Sequence, residues 1–332
     1  MIKYPPRLQL ANLPTPLTKL EKFKIPGFDG NLWVKRDELT GTEVSGNKIR
    51  KLEFCIAHAL EEGCNTLITC GGIQSNHCRA TAILGAQLGL KVHLILRGAR
   101  PEFPEGNLLL DYLAGAEISF LPQDEWDGHE SFAQNLQEQY LASGDKAHFI
   151  PIGASDEIGL WGYIAAYEEL AEDFKRHSLD PDYIITATGS GGTQGGLIVG
   201  SHLLGSRAKI IAFNVCDSAS YFKNKIKEDV SLWKQRYKVE IEENELDITT
   251  LEGYMGPAYG EADNSVFEAI ASLARTEGLF LDPVYTGKAF HGMTSELQLG
   301  QEGKLPGAND VVFVHTGGLF GIFPQQRNFQ FS

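Results

Sequence analysis

The sequence predicts an α/β protein built on mainly parallel sheet, with helices on both faces. Three observations carry this. Short runs rich in Val, Ile and Leu alternate with longer helical patterns through most of the chain. Glycine turns follow several of these runs directly, at Gly71-Gly72, Gly189–Gly192 and Gly317-Gly318. The last strand-like run, Val311-Val312-Phe313-Val314, is apolar throughout, as a strand covered on both faces is.

Taken in order, residues 1–30 are Pro-rich and Asn31–Lys35 reads as a strand. A helix is expected from Asn47, a strand over Thr66–Thr69 and a helix from Asn76 to about Leu88. Val92–Leu96 is the next strand, followed by a helix near Gly106–Leu113, a strand at Glu117–Leu121 and a helix at Glu130–Leu141. His148–Pro151 is a strand, and a long helical pattern covers Glu157–Arg176. Tyr183–Thr186 is a strand with a helix after Gly192, and Ile210–Val215 is another strand. Residues 222–250 are charged and give the weakest pattern. Phe267–Glu277 reads as helix, Asp282–Lys288 as a loop and Asp310–His315 as a buried strand. In such a sheet, ligands sit at the carboxyl ends of the strands.

The chain's 332 residues, 42% of them hydrophobic, suffice for two domains with real cores. Lys and Arg number 29 against 43 Asp and Glu, a net charge of −14 with no basic stripe. Nucleic acid and anionic membrane are therefore not expected as partners, and an anionic substrate would need local positive features. Met1–Leu10 lacks the pattern of a signal peptide, and no apolar run approaches the roughly 18 residues of a spanning helix. Cys55, Cys64, Cys70, Cys78 and Cys216 are odd in number, which suits reduced thiols in cytoplasm. No C-x-x-C pair is present, so no metal site is expected.

Three stretches point to chemistry. Ser45–Glu53 reads as a glycine turn entering a helix, with Asn47 as cap and Lys48 on the first turn. Lys48, Leu52, Cys55 and Ala59 fall at i, i+4, i+7 and i+11, which places the lysine at the end of an apolar row. Desolvation and the positive end of the helix both favour a free amine, the form a Schiff-base lysine needs. On its own, the stretch more readily describes a surface lysine opening an amphipathic helix, since exposed lysines are by far the commonest kind. Thr188-Gly189-Ser190-Gly191-Gly192-Thr193 follows a strand and opens a helix, a good phosphate cradle. Gln194 stands where a dinucleotide fingerprint requires glycine, and no Gly-Lys-Ser/Thr makes it a Walker loop. Gly71–His77 can hold a second anion by the same physics. Within it, Ser75 also reads as a simple helix cap and His77 as a loop-lining residue.

Gly46-Asn47-Lys48 with Arg50-Lys51-Leu52-Glu53, then Gly71-Gly72-Ile73-Gln74-Ser75-Asn76-His77, resembles the pyridoxal-phosphate enzymes of the D-cysteine desulfhydrase and 1-aminocyclopropane-1-carboxylate deaminase family. The similarity runs from Leu13-Pro14-Thr15-Pro16-Leu17 to His315-Thr316-Gly317-Gly318. It implies a fold-type II pyridoxal-phosphate enzyme, tryptophan synthase β-like, with the cofactor between two open twisted α/β domains. The large domain would be residues 1–50 and 156–332, with residues 51–155 inserted as the small one. Lys48 would carry pyridoxal 5'-phosphate, and Thr188, Gly189, Ser190, Gly191, Gly192 and Thr193 would contact its phosphate. Asn76 would meet the cofactor's 3′-oxygen, Tyr285 its ring, and Thr316 would stand near the pyridine nitrogen. Ser75 would serve near the substrate α-carbon. Ser75, Asn76, His77, Tyr259 and Thr286 would bind a small amino-acid substrate. A homodimer is also implied.

The deaminase branch carries Glu after the tyrosine matching Tyr285, and Leu at the position of Thr316. Threonines at both positions here match the desulfhydrase branch. The expected reaction is β-elimination of D-cysteine to pyruvate, hydrogen sulfide and ammonia. L-cysteate sulfo-lyase and 1-aminocyclopropane-1-carboxylate deaminase are the alternatives on the same scaffold. A non-catalytic binding protein for amino acid or pyridoxal phosphate, and a nicotinamide oxidoreductase using Gly189–Gly196, are alternatives of other classes.

Overall fold

The computed structural model describes residues 2–331. Two short strands come first, β1 (Leu17–Lys19) and β2 (Asn31–Lys35), followed by helix α1 (Asn47–Glu61). Next run β3 (Thr66–Gly72), α2 (Asn76–Leu88), β4 (Lys91–Arg97), α3 (Gly106–Leu113), β5 (Glu117–Leu121), α4 (His129–Ala142) and β6 (Ala147–Ile150). Then follow α5 (Leu160–His177), β7 (Tyr183–Thr188), α6 (Gly192–Leu203), β8 (Lys209–Asn214), α7 (Ala219–Tyr237) and β9 (Thr249–Leu251). Next come α8 (Asn264–Glu277), α9 (Thr286–Gln298) and β10 (Asp310–Val314), followed by short 3-10 turns at Leu319–Gly321 and Phe323–Asn328.

The strands form two sheets. One has the order β1-β2-β10-β7-β8-β9, the other β5-β4-β3-β6. Every pairing is parallel except β1 with β2. Successive residues of a strand point to opposite faces, and here both faces are apolar. On β7, Ile184 joins a core with Leu160 and Leu197, whereas Ile185 joins one with Phe290 and Met293. On β4, Leu94 and Leu96 enter the first of these cores and Ile95 a third, with Trp126 and Leu136. The first core contains residues of both sheets, Leu67 of β3 and Ile184 of β7 among them, so one apolar body joins the two layers.

Helices α5 and α6 meet at very short range. A Cβ on Gly196 would lie 2.5 Å from Tyr163 Cβ and 2.7 Å from the Leu160 carbonyl oxygen. Backbone cannot yield there as a flexible side-chain end can. Gly196→Ala is expected to destabilise the fold by about 1–3 kcal/mol despite alanine's better helix propensity. Urea unfolding checks this; an unchanged midpoint would show that the helices separate without cost.

Several expectations need correction. Leu17–Lys19, inside the Pro-rich opening, is an edge strand. The charged stretch contains α7, because Phe222, Ile226, Val230 and Trp233 form a fully buried stripe at helical spacing, and Ser218 caps its start. The loop expected through Lys288 ends earlier, since Thr286 already begins α9. Asn47 is not the cap of α1; Gly46 holds that position, and the Asn47 side chain is used elsewhere. Among the described residues, no helix is long and apolar enough to cross a membrane.

Candidate active site

A cavity of about 860 Å³ lies where the carboxyl ends of β3, β7 and β10 face one another. This is where an open parallel sheet is expected to bind ligands. Lys48, Gly71, Gly72, Ser75, Asn76, His77, Thr188, Gly189, Ser190, Gly191, Thr193, Tyr259, Tyr285 and Thr316 all line it. Residues separated by most of the chain therefore meet in one place.

Lys48 is held by its surroundings more than by its own bonds. Gly46 has φ +106°, and a Cβ there would lie 2.5 Å from the Thr316 carbonyl oxygen, so glycine is required for the turn. The Asn47 N–H donates to that same oxygen at 3.1 Å, and Asn47 Nδ2 donates to Thr193 Oγ1 at 2.8 Å. The start of α1 is thus tied to the end of β10 and to the first turn of α6. Lys48 Nζ donates to Asn47 Oδ1 at 3.0 Å and lies 5.8 Å from the Tyr285 ring centroid. Burial, and after it the Lys51 charge, holds the Lys48 amine well below the ordinary lysine range, although Asp282 pulls the other way.

The glycine turn after β7 opens α6, whose N-terminal end favours an anion. Ser155 braces it: its hydroxyl accepts from the Gly192 N–H at 3.1 Å and sits 2.8 Å from Ser190 Oγ. Lys51 Nζ stands 3.3 Å behind Ser155 Oγ, and burial lowers its pKa to about 8. The Thr188 hydroxyl oxygen is buried and has no hydrogen-bond partner among the described residues. A buried polar group without a partner is costly, so this oxygen is suited to a ligand. Gly192 itself does not line the cavity, because its N–H faces Ser155.

At the start of α2 the Ser75 hydroxyl accepts from the Cys78 N–H at 3.2 Å, so the capping role is real while the residue also lines the cavity. Asn76 Oδ1 accepts from Arg79 Nη1 and Asn107 Nδ2, each at 3.2 Å, which fixes its amide. The His77 ring pairs through Nε2 with Thr69 Oγ1 at 2.7 Å. Burial, and then the Lys48 charge, lowers its pKa well below normal and keeps it neutral.

The Tyr259 and Tyr285 hydroxyls hydrogen-bond each other. Burial, then Tyr259, then Asp282 raises Tyr285 well above the usual tyrosine range, and burial lifts Tyr259 to about 12. Both phenols therefore remain protonated at neutral pH. Thr286 corrects an expectation. It is 1% exposed and does not line the cavity; its hydroxyl donates to Asp282 Oδ1 at 2.7 Å. The Asp282 carboxylate also accepts the N–H groups of Val284, Tyr285 and Thr286, each at 2.9 Å, so Thr286 is held at the start of α9, behind the cavity wall.

Sequence reasoning did not single out Lys51, Ser155, Arg97 or Asp282. Lys51 was visible one turn beyond Lys48. Ser155 follows an isolated turn, Ile152–Ala154, and leaves no periodic signal.

A family model described as "Pyridoxal-phosphate dependent enzyme" matches residues 8–317. The chain is 38% identical to the mitochondrial bifunctional D-cysteine desulfhydrase/1-aminocyclopropane-1-carboxylate deaminase of Arabidopsis thaliana, covering 95% of this chain and 78% of that one. It is 37% identical to a putative 1-aminocyclopropane-1-carboxylate deaminase of Thermotoga maritima, covering 97% and 99%. It is 35% identical to the D-cysteine desulfhydrase of Klebsiella pneumoniae, covering 96% and 95%. A crystal structure of an ACC deaminase homologue superposes with a TM-score of 0.84 at 32% identity, covering 97% of this chain and 95% of that one.

Proposed function

The chain belongs to the pyridoxal-phosphate-dependent enzyme family, and on that premise we propose that it eliminates the β-substituent of D-cysteine, consuming one water and yielding pyruvate, hydrogen sulfide and ammonia. The cavity fits the cofactor on its own evidence: a low-pKa lysine amine beside a tyrosine ring, and an unpartnered hydroxyl at a helix start. Lys48 is the residue to hold the aldehyde, with Thr188, Ser190 and Thr193 on the phosphate and Lys51 adding positive charge behind them. Asn76 and Tyr285 are placed to hold the ring, and Thr316 offers it a neutral hydroxyl. When bound, pyridoxal phosphate supplies the carbonyl that an amine captures and the conjugated ring that accepts an electron pair.

The chain's own residues divide the proton work. The amides after Ser75 take the substrate carboxylate at the N-terminus of α2. The Lys48 amine, with its lowered pKa, is the base for the α-proton. Burial and its neighbours hold Tyr285 in the protonated form, so its assigned role is that of proton donor to the departing sulfur. Tyr259 holds the Tyr285 hydroxyl in place.

The single observation that carries this reading is the hydrogen-bonded Tyr259–Tyr285 pair beside the Lys48 amine. Tyr285→Phe is expected to lower kcat for D-cysteine by about 10²–10⁴ and far less for β-chloro-D-alanine, since chloride leaves without a proton. Equal losses on both substrates would remove Tyr285 from that role. A second reading, deamination of 1-aminocyclopropane-1-carboxylate, is favoured by the names of the Arabidopsis and Thermotoga relatives. The products separate the two: pyruvate with sulfide from D-cysteine, or 2-oxobutyrate from the cyclopropane.

A further inference from the structure

Arg79 stands one helical turn along α2 from Asn76 and is fully buried. Its hydrogen bonds go to neutral oxygens: Nη1 donates to Asn107 Oδ1 at 2.7 Å and to Asn76 Oδ1 at 3.2 Å, and Nη2 to the Ser45 carbonyl at 2.9 Å. The Phe320 ring covers one face of the guanidinium, its centroid 4.8 Å from the central carbon. The buried Asp111 carboxyl answers the charge from a distance and makes no hydrogen bond. Burying a cation among neutral acceptors is costly, and among the described residues no ion pair offsets it here. The donor chemistry fixes what the side chain does. A guanidinium carries only donors, so the atom that Asn76 turns towards it is the amide oxygen. Asn107 closes on that oxygen from a second side. Its own oxygen is held by Arg79, and its Nδ2 donates to Asn76 Oδ1 at 3.2 Å and to the Gln74 carbonyl at 2.9 Å. With its oxygen engaged twice, Asn76 has only N–H groups left for the cavity it lines. Through Ser45, the same arginine grips the turn that leads into Lys48.

We propose that Arg79 is a positioning residue that acts through Asn76, locking the amide so that an N–H, and not the oxygen, meets the 3′-oxygen of bound pyridoxal phosphate. The inference rests on the reading above in which Lys48 holds the cofactor and Asn76 its ring. One proton is shared there between the Lys48 nitrogen and the neighbouring ring oxygen. An N–H donor favours that oxygen as an anion, because a charge-assisted hydrogen bond is roughly twice as strong as a neutral one. The proton then rests on nitrogen, where it makes the adjoining carbon a better target for an incoming amine. An amide turned the other way would present its oxygen, which only accepts, and would draw the proton onto the ring oxygen. The proton moves between two atoms, and nothing is oxidised or reduced.

The test is the absorbance of the cofactor-loaded protein at one fixed neutral pH, where the two proton positions give separate bands and the nitrogen-protonated form absorbs at the longer wavelength. The wild type is expected to show mainly the long-wavelength band. Arg79→Met is expected to lower the ratio of long- to short-wavelength absorbance about tenfold, the size of a hydrogen bond to a charged group. Asn107→Ala removes one donor from Asn76 and leaves the guanidinium in place. It is expected to lower the ratio about threefold, and it decides the matter if Arg79→Met does not fold. In an Asn76→Ala background, neither substitution is expected to move the ratio further. A ratio unmoved by Arg79→Met, or by Asn107→Ala where Arg79→Met fails to fold, overturns the proposal. So does an equal shift with Asn76 absent, which would make Arg79 a brace of the fold alone. A wild type without the long-wavelength band overturns the reading of Lys48 as tether and this inference with it, so the two failures are told apart.

Discussion

Lys48→Ala is expected to lose the visible absorbance of a lysine-linked cofactor and to lower sulfide release from D-cysteine by a factor on the order of 10³ or more. The size follows from what the residue does. It is both the proposed tether and the proposed base, so one substitution removes two functions that act as a unit. The structure also makes the experiment clean. The Lys48 amine makes one side-chain hydrogen bond, to Asn47, and the contacts that shape the start of α1 come from Gly46 and Asn47. Far-UV circular dichroism should therefore be unchanged. Lys288 is the natural control. It is fully buried in α9, donates to the Ala258 carbonyl at 3.0 Å and does not line the cavity. If Lys48→Ala still absorbs and still releases sulfide, the tether is elsewhere and the reading of the cavity fails with it.

What the sequence disclosed follows a physical pattern. Features local in the chain were legible. Adjacent Ile184 and Ile185 announce a strand covered on both faces, and the glycines after β7 announce the start of a helix. Features depending on distant partners were not. Asp282 organises the start of α9, but its acceptor role appears only when Val284, Tyr285 and Thr286 fold back onto it. Helix α9 was hidden by Gly287 and Gly292, which weaken a helical pattern. Both are needed for close approach: a Cβ on Gly287 would lie 2.6 Å from the Asp282 carbonyl oxygen, and one on Gly292 2.5 Å from Phe213. Arg97 is an ordinary strand-end arginine until Trp126 and Tyr259 are brought to it. The stripe within α7 is local in the chain, but its charged neighbours obscured it.

Asp37→Ala is expected to destabilise the protein by about 3–5 kcal/mol, because it takes one of two carboxylates from a buried cation and the acceptor from a buried phenol. Asp37 is 1% exposed and Arg50 2%. The carboxylate accepts from Arg50 Nη2 at 2.8 Å, Arg50 Nε at 3.0 Å, Thr15 Oγ1 at 2.8 Å and the Tyr163 hydroxyl at 2.6 Å. Arg50 also pairs with Glu169 at 3.0 Å, and Lys35 pairs with Glu169 and Asp173 at 2.6 Å each. Removing Asp37 leaves Arg50 with one carboxylate, Glu169, and the Thr15 hydroxyl at 3.1 Å, and leaves the Tyr163 hydroxyl without its acceptor. Removing both charges, as in Asp37→Leu with Arg50→Met, is expected to cost less than Asp37→Ala alone, since neither ion is then left unpaired. If the double variant is the less stable, the network contributes by attraction and the argument from stranded charge is wrong. The pH dependence has a fixed sign. Burial alone would raise Glu169, but Arg50 and Lys35 outweigh it and lower its pKa from 4.5 to about 2. A carboxylate depressed by folding adds stability above its unfolded pKa and loses it as pH falls through the folded one. The wild type should therefore lose stability as pH drops from about 4.5 towards 2, read from urea midpoints, and Arg50→Met should show a shallower loss. The consequence reaches the cavity. Arg50 lies on α1 just after Lys48, and the Gly46 N–H donates to the Asp37 carbonyl at 3.1 Å. The charges that hold the fold together here also hold the helix that presents Lys48, so Asp37→Ala should weaken cofactor retention along with stability.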